Sequence, residues 1–91
     1  MASEREEAPK IEFPCPYPIK VMGLDENDFS AAVVRIIRRH APDLDDANIS
    51  FRSSRHGKYL AVNVIINAQG SAQLQAIFDD LKASGRVAMV I

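Results

Sequence analysis

From Tyr17 to Leu24 the chain alternates, with Ile19 and Val21 on one side and Lys20 and Met22 on the other. A period of two belongs to a strand with one buried face, and Gly23 near its end suits a tight exit. After LDEND, where Asp25 and Asn27 could each cap a helix, the period changes. Phe29, Val33, Ile36, Ile37 and His40 recur at helical spacing over about three turns. Pro42 stops that helix, because the residue before a proline avoids the helical region. Alternation resumes from Asn48 to Arg55, with Ile49 and Phe51 against Ser50 and Arg52, and His56-Gly57 predicts a hairpin turn. The return strand, Tyr59 to Asn67, places Leu60, Val62, Val64 and Ile66 together. Leu74, Ile77, Phe78 and Leu81 then mark a second helix, Gly85 stands where a helix C′ residue belongs, and Arg86 to Ile91 predicts a last strand.

The order β-α-β-β-α-β, with two right-handed crossovers sharing a middle hairpin, predicts an α+β fold. It is the ferredoxin-like sandwich, a four-stranded antiparallel sheet with both helices on one face. The first and third strands are then central. By parity the inward set is Ile19, Val21, Ile49, Phe51, the Leu60 to Ile66 series, Val87, Met89 and Ile91. The outward set is Lys20, Met22, Ser50, Arg52, Ala61, Asn63, Ile65, Ala88 and Val90.

The run FPCPYPIKVMG opens this domain with Pro14, Pro16 and Pro18. Proline favours extended backbone and lacks an N–H, so the run predicts a stiff approach ending at the first strand residue. Cys15, between two prolines and away from any histidine, lacks the neighbours of a reactive thiol.

Composition narrows the rest. Ninety-one residues, 47% hydrophobic and 25% charged, form one folded domain, expected over residues 13–91 behind a flexible charged tail at 1–12. The tail has no apolar core of the kind a secretory signal needs, and no apolar run approaches the roughly 20 residues that span a bilayer. With one cysteine, a cytoplasmic location without membrane contact is expected. A net charge of −1 argues against bulk attraction to nucleic acid.

No residue constellation points to catalysis. Cys15, His40 and His56 are scattered, the Asp43, Asp45, Asp46 loop lacks the glycine and glutamate of a calcium loop, and no glycine-rich phosphate loop occurs. Catalytic, cofactor and metal residues are therefore expected to be none. The open sheet face carries more information. Met22, Ile65, Val90, Ala61 and Ala88 form an apolar strip rimmed by Lys20, Arg52 and Asn63. Single apolar residues are ordinary on surfaces, but a strip crossing strands suits an interface. RNA-binding sheets stack bases on aromatics of the central strands, and here Lys20 and Ala61 hold those places, leaving only Tyr59. No nucleic acid is expected. Arg55, His56, Lys58 and Tyr59 around the hairpin form a second candidate contact. Arg35, Arg38, Arg39 and His40 suit the end of the first helix through its dipole.

The combination of KVMG, RHAP, SSRHGKYLAVNVIINAQGSAQLQAIFDDL and the terminal RVAMVI resembles the YbeD-like family of small uncharacterised bacterial proteins. The resemblance covers nearly everything after the tail. It implies the same fold, similar to ACT-type regulatory domains, and neighbourhood to lipoate-attachment genes. The expected function is a non-enzymatic regulatory or adaptor domain that binds a protein partner, or itself as a homodimer, through the open face. The alternative is a small-metabolite sensor, similar to ACT domains, with a site near Gly23 and the start of the first helix. The acids of LDEND weigh against a carboxylate ligand there.

Overall fold

The computed structural model describes residues 12–91. The tail expected at 1–12 thus lies, apart from an exposed Glu12, outside the described residues. The elements are β1 (Cys15–Leu24), α1 (Phe29–His40), a 3-10 turn (Asp46–Asn48), β2 (Ile49–Ser53), β3 (Tyr59–Ala68), α2 (Ser71–Ala83) and β4 (Val87–Val90). The strands form one antiparallel sheet in the order β2-β3-β1-β4. This is the βαββαβ ferredoxin-like sandwich, with β1 and β3 central.

The core lies between the sheet and the helices. Ile19, Val21, Val62, Val64 and Ile66 meet Phe29, Val33, Ile37, Ile77 and Leu81, all almost fully buried. These are the period-two and helical-period residues of the sequence, and burying each large side chain contributes about 1.5–3 kcal/mol. Phe51 faces the same side, opposite Val62, yet is 55% exposed because β2 is an edge strand. It borders a groove against Ser30, Ala31 and Val34 of α1.

β1 begins two residues earlier than the alternation indicated, so Pro16 and Pro18 lie inside it, opposite Asn67 and Ile65. The hydrogen bonds of Lys20 explain how they are tolerated. Its N–H donates to the Ile91 carbonyl at 3.0 Å, and the Ile91 N–H donates back at 2.9 Å. Backbone groups of even-numbered β1 residues therefore point towards the β4 side, and the ladder with β3 uses the odd ones. Pro16 and Pro18 point past Ile91, where no described strand is bonded to β1. They cost no ladder bond, and they blunt an otherwise open edge. Cys15 is half-buried against the core.

β4 corrects the parity reading. A bulge falls between Met22 and Gly23, so Val21 pairs with Val90 and Met22 with Met89, whereas Gly23 pairs with Val87. One extra residue on β4 reverses the alternation within the strand. Val87 and Val90 both pack against the core, while Met89 (47% exposed) and Ile91 (67%) turn outward. Val90 is therefore not part of the open face, and Met89 and Ile91 are not part of the core.

Gly23 stands at this bulge. Its φ is not positive, so the requirement is space rather than a turn. A Cβ there would lie 2.5 Å from the Arg86 carbonyl oxygen and 2.5 Å from Cε1 of Phe29. The next loop also differs from expectation. α1 is capped neither by Asp25 nor by Asn27. Asp28 occupies the cap position at φ 56° with no side-chain cap bond, and Asn27 before it has φ 52°. Arg86 secures these two left-handed residues, donating from Nη2 to the carbonyls of Glu26 and Asn27 with its guanidinium 5.9 Å from the Phe29 ring centre. At the hairpin the connection is five residues, Ser54 to Lys58, rather than a two-residue turn. Gly57 (φ 72°) donates to the Ser54 carbonyl, and the Ser54 hydroxyl accepts from the Tyr59 N–H. At the other helix, Gly85 (φ 73°) is the left-handed C′ residue that the sequence indicated.

Gly23→Ala should destabilise the fold by at least about 1–3 kcal/mol, because neither a backbone carbonyl nor a buried ring can retreat freely. Gly70→Ser, in open space before α2, should change it by no more than about 1 kcal/mol, with a gain if the hydroxyl caps the helix. Urea unfolding of both variants checks the contrast.

Candidate functional site

The face of the sheet away from the helices is built by the residues that alternation leaves over. Lys20 and Met22 stand on β1, Arg52 on β2, and Ala61, Asn63 and Ile65 on β3. Register holds them in rows: Met22 lies opposite Ala61, Lys20 opposite Asn63, and Arg52 opposite Ala61 on its other side. The structure thus brings together six of the seven primary residues proposed from sequence. Val90 is the exception, displaced by the bulge. Met89 and Ile91 take its place. The four-residue β4 offers too few alternations to fix its own parity, and its only sequence signal is Gly23 across the ladder.

Ile65 is 45% exposed, so it, Met89 and Ile91 present apolar surface directly to solvent. Ala61 points to this face but is buried, forming a floor beneath its neighbours. Two shallow depressions result. The larger, about 750 Å³, is bounded by Tyr17, Pro18, Ser50, Asn63, Ile65 and Ile91. The smaller, about 320 Å³, is bounded by Met22, Arg52, Ser54, Tyr59 and Ala61. Lys20 borders both. Among the described residues no carboxylate lies within ion-pair distance of Lys20 or Arg52.

The secondary group divides. Tyr59 joins the smaller depression with the Lys58 ammonium 5.7 Å from its ring centre, while Arg55 and His56 are exposed in the loop beyond. At the basic end of α1, Arg38, Arg39 and His40 are engaged internally, whereas Arg35 is exposed. Arg38 donates to the Leu44 carbonyl and pairs with Asp46, and Arg39 lies 3.7 Å from Asp80. His40 Nε2 sits 2.7 Å from Asp80 Oδ2; a carboxylate only accepts, so the ring nitrogen donates. Gln73 completes the clasp by donating to the His40 carbonyl at 2.7 Å. The hydrogen bond from His40, helped by the charges of His40 and Arg39, holds the Asp80 carboxyl below its ordinary value of 3.8. These side chains tie α1 to α2. Near Gly23, the Phe29 ring and the Arg86 guanidinium occupy the space beside the β1–α1 loop. Among the described residues no helix is long and apolar enough to cross a membrane.

A family model described as "Protein of unknown function (DUF493)" matches residues 8–91. The chain belongs to this family. Curated relatives named UPF0250 protein include one from Azotobacter vinelandii, 56% identical over 93% of this chain and 94% of its own length. Another, from Hahella chejuensis, is 46% identical over the full length of both. The resemblance to YbeD-like proteins carried by KVMG and RHAP is borne out. Among solved structures, protein HP0495 from H. pylori superposes with a TM-score of 0.73 at 13% identity, covering 100% of this chain and 96% of its own. The ACT domain from GTP pyrophosphokinase of Chlorobium tepidum gives 0.65 at 18% identity, covering 85% and 97%. At such identities these neighbours establish the ferredoxin-like, ACT-like fold of the DUF493 chain and nothing further.

A carboxyl whose folded pKa is depressed contributes stability in full above its unfolded value and loses it as pH falls through the folded value. Asp80→Asn should therefore lower the urea midpoint at neutral pH, and the gap to wild type should close as pH falls below about 4. Coincident profiles for the two proteins would show that the His40–Asp80 clasp contributes nothing.

Proposed function

We infer that this DUF493 protein is a non-enzymatic regulatory or adaptor module that binds a protein partner, or a second copy of itself, through its open sheet face. One observation carries the reading: Ile65, Met89 and Ile91 stand exposed on a face that neither helix covers, beside two cations without a described ion partner. Apolar groups interspersed with a few polar ones, flanked by an aromatic such as Tyr59, suit the centre of a protein contact. Few rigid groups converge at any point of the face, as a reaction would need.

A second reading, a small-metabolite sensor, draws on the likeness to an ACT domain. The space beside Gly23 is already filled by Phe29 and Arg86, so a metabolite would have to use one of the sheet depressions instead. The YbeD-like resemblance makes lipoate-related compounds and amino acids the first ligands to test.

Ile65→Lys places a charge in the middle of the proposed contact. Solution mass and capture from a bacterial lysate should be measured for wild type, Ile65→Lys and Phe51→Lys, whose change lies at the far edge of the helix side. The binding reading expects a dimer, or a specific captured protein, that Phe51→Lys keeps and Ile65→Lys loses. Equal masses and equal captures for all three would overturn it. A thermal-shift screen separates the sensor reading, since a ligand at a hundred times its Kd adds about 2.7 kcal/mol and raises Tm by roughly 10–20 °C.

A further inference from the structure

The open face has a charge pattern of its own. The chain holds 12 acidic and 11 basic residues, a net charge of −1. None of the acids among the described residues occupies a strand. In the described residues they sit at Glu12, in the β1–α1 loop, in the α1–β2 connection, and at Asp79 and Asp80 on α2. The sheet face carries Lys20 and Arg52 with no carboxylate among its outward strand positions, and the adjoining hairpin adds Arg55 and Lys58. Among the described residues, the charged side chains of this face are thus all cationic, and in a low-dielectric contact such a set favours an anionic partner and repels a cationic one.

The placement of Lys20 narrows the partner further. It borders both depressions, on a central strand, opposite Asn63. The larger depression presents Pro18, Ile65 and Ile91, and the smaller presents Met22, Ala61 and Tyr59. Outward neighbours along a strand stand about 6.4–6.8 Å apart, so Pro18 to Met22 spans about 13 Å with Lys20 midway. An extended peptide has the same repeat. Building on the binding-module reading, we propose that the face takes an acidic, extended protein segment. That segment sets a carboxylate on Lys20 between two apolar side chains, one in each depression, with a further acid within reach of Arg52. Its recognition pattern is apolar–x–acidic–x–apolar. Nucleic acid fits less well, since Tyr59 is the one aromatic at an outward position of the central strands.

The test is selection from a phage library of random twelve-residue peptides on the immobilised full chain. A synthetic consensus peptide is then titrated by fluorescence polarisation against wild type, the double variant Lys20→Glu with Arg52→Glu, and Ile65→Lys. Selected peptides should be net negative with the stated spacing, should bind the double variant about tenfold or more weakly, and should weaken as salt rises. All substituted positions lie on the surface, and unchanged melting curves confirm folding. A neutral or basic consensus lost on Ile65→Lys would overturn the acidic pattern while leaving the face as the binding surface. A consensus bound equally by all variants would overturn both readings. The proposal also falls if nothing is selected, or if wild type prefers oligouridine or phosphatidylserine vesicles to the peptide.

Discussion

The architecture depends on the absence of one side chain. At Gly23 the backbone of β1 comes so near the Arg86 carbonyl and the Phe29 ring that no Cβ fits between them. That approach joins the end of β1, the start of α1 and the start of β4 at one point. Arg86 adds a second tie from the same place, donating to two carbonyls of the loop that holds Asn27 and Asp28 in left-handed conformations. Non-glycine residues in that region carry a cost of about 1 kcal/mol or more, which the ordered contacts around them must offset. The bulge beside Gly23 then decides which β4 side chains enter the core.

The two faces of the sheet meet different ends. On the helix side several polar groups are engaged: His40, Arg39 and Gln73 clasp α1 to α2 through Asp80 and the His40 carbonyl, and Arg38 closes the following loop. On the open side Lys20 and Arg52 have no described ion partner, and apolar side chains remain uncovered. The uncovered apolar side chains beside these cations are what give the open face its functional interest.

Most of the fold was legible because long elements repeat their signal. β3 alternates over ten residues, and each helix shows its stripe over three turns or more, so their types and inner faces follow from the residues alone. Legibility failed where the deciding contact joins distant parts of the chain. Nothing near Val90 reports that a bulge opposite Gly23 turns it inward, so Val90 and Met89 exchange places between sequence and structure. Pro16 and Pro18 resembled a lead-in, and only the bonding of Lys20 to Ile91 shows why they are harmless inside a strand. The cap at Asp28 was hidden in the same way, because Arg86, far along the chain, holds that loop. Of the open face, the rows on β1, β2 and β3 were readable from parity, and the β4 row was not.

The facing of β4 is therefore the point on which the fold and the candidate site both turn. Methyl NMR with a soluble paramagnetic agent reads it directly. Strong broadening is expected at the methyls of Met89 and Ile91, with the Val90 methyls protected and showing contacts to Phe78 of α2. Protected Met89 with broadened Val90 would contradict the bulge, the role assigned to Gly23, and the composition of the open face together.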